Sequence, residues 1–193
     1  MSSSPVLEAL RLSTAARHHW IEAESGVEER LRDGAARPVV MRRFLDLHRG
    51  AEARSAPWYS ALRALGYSPE ARSPLIVAGL LELGDAAHPG APAAGGGSFG
   101  EAIGWIYVTE GSMLGGRVMR RSMIADGIGL EGLGFLDPWG DATGTRWRAF
   151  LRAMEDACAS GQAAQVDVLK GGCDAFDLAC ALLVPTRPTE CLA

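Results

Sequence analysis

The chain has 193 residues, 48% of them hydrophobic, enough to bury one substantial core and normally to form a single domain. Its 19 basic and 23 acidic residues leave a formal charge of −4, so it carries no overall cationic field for nucleic acid or an anionic membrane. No apolar run approaches a membrane span, and Met1 to Pro5 leads into a charged amphipathic segment rather than an export signal, which makes a reduced cytoplasm the expected location.

Helical periodicity dominates and strand signals are scarce. Leu7 to about Gly34 reads as a first helical region, with Gly34 as its stop. Pro38 opens the next, where Val39, Val40, Phe44, Leu45 and Leu47 mark apolar faces, and Ser55-Ala56-Pro57 interrupts before Trp58 to Leu65. Pro74 begins another helix through about Leu83. Asp85 to Gly97, rich in Ala, Gly and Pro, reads as a loop inside one domain, with His88 exposed in it. A long apolar helix starts near Phe99 and runs through Met119 or beyond; Gly127 to Gly144 is an irregular connection. Helices from about Thr145 to Ser160 and Gln162 to Leu183 complete one helical domain, 1–184, and 185–193 reads as a loose tail. The four cysteines, Cys158, Cys173, Cys180 and Cys191, lack C-x-x-C spacing, and Cys173 and Cys180 read as buried small apolar residues on one helix face. His48, among Arg42, Arg43 and Arg49, has no ligand set around it.

Two of these helices carry chemistry. In the first, Arg11 and His18 lie seven positions apart, within roughly 20° of each other at about 100° per residue, while Glu22 falls within about 40° of His18 and Thr14 shares the stripe. A ligated imidazole binds through one nitrogen and usually donates from the other to a carboxylate or carbonyl, a role open to Glu22 directly or through water. Arg11, two turns earlier, is placed to meet a carboxylate at the edge of a ligand centred on His18. His19, turned about 100° away, has no such stripe. Taken alone, a histidine beside Trp20 is more often an ordinary packed or surface residue, and Arg/Glu pairs at this spacing are usually solvated decoration.

The second segment places Gly111, Gly115 and Gly116 within six residues of a core helix, although each glycine costs roughly 1 kcal/mol there relative to alanine. Gly111 and Gly115 share a face. Missing Cβ atoms let a flat ligand lie against the backbone, or a neighbouring helix pack closely; the two accounts use the same residues.

Thr14, His18 and Glu22, in T-x-x-x-H-x-x-x-E spacing behind Leu10-Arg11, resemble the proximal helix of haem oxygenases. Tyr107-Val108-Thr109-Glu110-Gly111-Ser112-Met113-Leu114-Gly115-Gly116 resembles the distal helix of their bacterial, phytochrome-associated, biliverdin-forming branch. The resemblance implies an all-α, single-domain multi-helical bundle with haem b, prosthetic group and substrate at once, between the two helices, O2 as co-substrate and no separate metal site. By it His18 is the axial ligand, Glu22 its hydrogen-bonding partner, Arg11 a propionate contact, Thr14, Tyr107 and Gly116 part of the haem surroundings, and Gly111, Ser112 and Gly115 the catalytic distal surface. Trp147 to Arg152 resembles a later helix with basic propionate contacts, here Arg148 and Arg152. Ser112 stands where the animal-type pattern has an aspartate that organises distal water, so proton delivery falls to Ser112, backbone groups or other ordered water. The implied activity is oxidative cleavage of haem to biliverdin, carbon monoxide and ferrous iron, with electrons from a ferredoxin or flavoprotein reductase and a phytochrome as biliverdin acceptor. A non-catalytic haem carrier, store or sensor on the same fold is the alternative. A helical di-metal oxidase would need Glu-x-x-His pairs, and none ends at any of the 4 histidines.

Overall fold

The computed structural model describes residues 5–86 and 96–185. His88, Cys191 and the segment after residue 185 lie outside the described residues. The described elements are all helical: α1 (Pro5–Glu24), α2 (Val27–Arg32), α3 (Arg37–Ser55), α4 (Tyr59–Ala64), α5 (Ser73–Glu82), α6 (Phe99–Ala125), α7 (Thr143–Ala159) and α8 (Gln165–Leu183), with short 3-10 turns at Ala56–Trp58, Leu133–Leu136 and Gly140–Ala142. The fold class is therefore all-α, as expected. Among the described residues no helix is long and apolar enough to cross a membrane.

The first helical region is not continuous. Gly26 adopts φ +54°, a left-handed conformation that interrupts the chain between α1 and α2, and the Arg30 guanidinium holds the break by donating to Ser25 O (3.2 Å) and Leu183 O (2.9 Å). The Ser55-Ala56-Pro57 interruption is a 3-10 turn that passes directly into α4, with Pro57 in its first turn.

The 27-residue α6 is the spine. Its start is fixed by a capping box: Glu101 N donates to Ser98 Oγ (3.2 Å) while Ser98 N donates to Glu101 Oε2 (2.8 Å). The first half of α6 crosses α8 with almost no space between the backbones. A Cβ on Gly104 would collide with Val168 O and Gly172 N, and one on Gly171 with Glu101 O. α1 lies along α8 and buries Val6, Leu7 and Leu10 with Ile103 and Ile106 of α6 and Phe150 and Met154 of α7. A second cluster, built from Met41, Phe44 and Leu45 of α3, Ile76 and Leu80 of α5, Met123 of α6 and the Leu133–Leu136 turn, closes the other end. The connection before that turn is pinned by the buried Arg37, whose guanidinium donates to Leu31 O (2.7 Å), Glu131 O (3.1 Å) and Gly129 O (3.0 Å).

α5 is capped from outside its own sequence. Glu52 of α3 accepts from the backbone amides of Arg72 (2.8 Å) and Ser73 (2.9 Å) at the start of α5. Cys173 and Cys180 are half-buried rather than buried, because both stand at the α1–α8 boundary with their thiols donating to Ser13 O (3.7 Å) and Arg17 O (3.9 Å).

Candidate functional site

Of the four residues of the expected stripe on α1, Arg11, His18 and Glu22 are exposed. Glu22 Oε2 lies 3.3 Å from His18 Nδ1, which leaves Nε2 as the ring nitrogen not engaged by this carboxylate. The imidazole is 58% exposed, and its one buried flank is an edge-to-face contact with Phe176 of α8, ring centroids 5.7 Å apart at 70°. Thr14 departs from the expected pattern of a side chain turned to a ligand: it is buried and its hydroxyl donates back to Leu10 O at 2.7 Å. Arg11 is exposed and interacts with the Tyr107 hydroxyl, which also bonds Thr14. Burial raises the Tyr107 pKa while Arg11 opposes the shift. His19 is exposed.

On α6 the motif divides into two faces. Tyr107 packs against Trp147 of α7 at 5.8 Å, and a Cβ on Gly111 would sit in ordinary contact with that same indole, 3.6 Å away. A Cβ on Gly115 would meet nothing within 4 Å. Ser112 is exposed, its hydroxyl donating to Thr109 O at 2.8 Å, and Leu114 and Val118 are exposed beside it. Gly116 is on the other face: it is buried under the backbone of Leu136, whose carbonyl a Cβ there would strike. Its glycine serves the packing of α6 on the Leu133–Leu136 turn, so Gly116 stays outside the candidate site.

α1 and α6 are joined through two bridges. Tyr107 links α6 to Arg11 and Thr14; Phe176 meets His18 and belongs to the same buried cluster as Trp105 and Val108 of α6. The imidazole and the Gly111–Gly115 stripe thus sit on the two helices that these bridges connect, His18 on α1 and the glycines on α6. Arg148 and Arg152 lie exposed on α7, Arg148 donating to Thr145 Oγ1 at 3.0 Å, on a different face from Trp147.

Sequence spacing missed a buried polar cluster behind α6. The α7 arginine that reaches inward is Arg146: its guanidinium donates to Glu70 Oε1 (3.1 Å) and Ser68 O (2.9 Å) and stacks on Trp139. Its Nε lies 3.3 Å from Glu110 Oε2, close as charges but not aligned as a hydrogen bond, since neither atom has a hydrogen-bond partner among the described residues. Arg72 is 4% exposed with Nη2 likewise unpartnered, and burial lowers its pKa to about 10 against the opposing pull of Glu110, Tyr67 and Glu52. Burial, and then the Arg72 charge, hold His48 well below the ordinary histidine range, so it is neutral. Burial likewise raises the phenol of Tyr67. His48, Tyr67, Arg72 and Glu110 line a cavity of ≈20 Å³, space for about one water.

No protein-family model matches the chain. Its fold is similar to that of the NO- and CO-bound haem oxygenase from Neisseria meningitidis seen in crystal structures, with a TM-score of 0.66 over 92% of this chain and 89% of that one, at 22% identity. The architecture is thus that of the helical haem oxygenases. In sequence the chain is 34% identical over 137 residues to a haem oxygenase from Xanthomonas campestris pv. campestris (strain 8004), a match spanning 68% of this chain and 79% of the relative. The chain belongs to the haem oxygenase family.

Proposed function

We propose that this chain is a haem-degrading oxygenase whose substrate lies between α1 and α6, held at His18. The observation that carries this reading is the His18 site itself: an accessible imidazole with Nδ1 facing Glu22, in a chain whose α6 has open space at Gly115 where a side chain would stand. When bound, haem iron supplies the position where O2 binds and is reduced, and the macrocycle is opened to biliverdin, carbon monoxide and ferrous iron.

The chain's own residues hold and orient. His18 presents Nε2 to iron while Glu22 fixes the tautomer by accepting from Nδ1. Arg11, exposed beside the Tyr107 bridge, meets one propionate. Arg148 and Arg152 reach the other by extending over the rim of α7. Gly111 and Gly115 let the distal side approach the α6 backbone. Ser112 gives its proton to Thr109 O, and its oxygen lone pairs remain to accept from ordered water, the part an aspartate plays in the animal-type pattern. O2 is the co-substrate, electrons come from a ferredoxin or flavoprotein reductase, biliverdin passes to a phytochrome, and the enzyme works in the cytoplasm.

Turnover separates this reading from a haem carrier. Haem-loaded protein given O2 and an electron donor loses its Soret band and yields biliverdin and carbon monoxide; an intact Soret band under those conditions favours the carrier. His18→Ala abolishes the normal axial spectrum and nearly all turnover, while His19→Ala keeps both. Full activity and an unchanged spectrum in His18→Ala reject the ligand assignment.

A further inference from the structure

One face of α8 holds the ligand-bearing helix. Cys173, Phe176, Asp177 and Cys180 follow the i, i+3, i+4, i+7 pattern, and each meets α1. The two thiols donate to Ser13 O and Arg17 O, and the Asp177 carboxylate takes the Arg17 guanidinium at two points, 2.6 and 3.1 Å. Leu10 lies against Gly172 one residue before the stripe, where a Cβ would come within 2.7 Å of its Cδ2. These contacts fix how far α1 is advanced along α8, but none touches the imidazole.

Phe176 does touch it. Phe176 is 8% exposed and belongs to the buried cluster that includes Trp105 and Val108 of α6, so its ring is confined by close-packed core. Glu22 is 66% exposed, and an exposed i, i+4 pair restrains a ring weakly. The sp³–sp² torsion that turns an imidazole about its long axis is broad and roughly two-fold, so without a second restraint the ring plane is soft. An edge-to-face contact with an immobile aromatic is directional and supplies that restraint.

We propose that Phe176 is a positioning residue that sets the plane of the His18 imidazole, and with it the direction in which the ring is presented to haem iron. This rests on the reading of His18 as axial ligand. Phe176 shares its buried cluster with Trp105 and Val108 of α6, so the same ring that meets His18 is anchored in the core around α6.

The test uses the full chain loaded with ferric haem and cyanide. In that low-spin complex the order of the hyperfine-shifted haem methyl resonances reports the angle of the axial imidazole plane. Phe176→Leu, which keeps apolar volume but removes the ring edge, reorders those resonances and weakens haem binding by about threefold to tenfold, whereas Phe176→Tyr keeps the wild-type order. A wild-type order in Phe176→Leu overturns the proposal. If Phe176→Leu does not fold by circular dichroism, Phe176→Met replaces it with the same two outcomes. His18→Ala is the separate control: if it keeps the wild-type methyl pattern, the ligand reading fails, whatever Phe176→Leu does.

Discussion

Glycines of α6 serve opposite ends. In the first half, Gly100 and Gly104 stand where α8 passes so close that any side chain meets backbone or the Asp167 Cβ. Further along, Gly116 is closed in the same way by the Leu136 carbonyl, whereas Gly111 has only the edge of Trp147 nearby and Gly115 has nothing, so at Gly115 the absent side chain leaves space that the fold itself does not use. A glycine whose Cβ direction is filled by backbone is explained by packing; one whose Cβ direction is open needs another account, and the haem site proposed above offers one.

The sharpest way to break this contrast is Gly104→Ala. The added methyl meets fixed backbone atoms of Val168 and Gly172, at the upper end of the usual overpacking cost, about 3 kcal/mol, or roughly 6–12 °C in Tm for a chain of this size. A Tm within 2 °C of wild type, on the order of 1 kcal/mol or less, means that the α6–α8 crossing relaxes and the division fails.

Acid titration probes the buried half of the molecule. The native pKa of His48 is depressed by burial and by Arg72, while the unfolded value is near 6.5, so its neutral form contributes stability in full above about pH 6.5. As the pH falls below that value the unfolded state takes up the proton first, and stability drops by up to about 1.4 kcal/mol per pH unit until the native pKa is reached. Denaturant midpoints for wild type and His48→Gln between pH 7 and 5 measure this; equal slopes in the two proteins would show that His48 already titrates in the native state.

The smallest effect on the fold, and the most specific one, belongs to Gly115. Gly115→Ala stabilises the haem-free protein by up to about 1 kcal/mol, because an alanine is gained in an exposed helix without a clash. Gly115→Leu leaves Tm near wild type yet weakens haem binding by about tenfold or more, roughly 1.4 kcal/mol. If Gly115→Leu binds haem as wild type does, the open face of α6 is not the distal wall.

The helices and the His18–Glu22 pairing are legible in the sequence because their signals are local: apolar periodicity, proline at helix starts, and the four-residue step from His18 to Glu22. The break at Gly26 was also written locally, in Ser25-Gly26, and an apolar pattern continuing past it hid it. The two duties of glycine were not separable, since Gly115 and Gly116 are neighbours and only the distant Leu136 carbonyl distinguishes them. Nor was the cluster around Glu110: His48, Arg72 and Arg146 come from α3, the start of α5 and α7, and each looks in sequence like an ordinary surface residue. Burial of charge is decided by which helices meet, which spacing within one helix does not encode.

Glu52 gives α5 its missing first-turn acceptor from a different helix. The order in which the chain consolidates is thereby constrained. A 10-residue apolar segment such as α5 is marginal in isolation, and its nucleating end stays frayed until α3 docks and lends its carboxylate. Secondary structure in this part of the molecule is a product of tertiary assembly rather than a precursor to it.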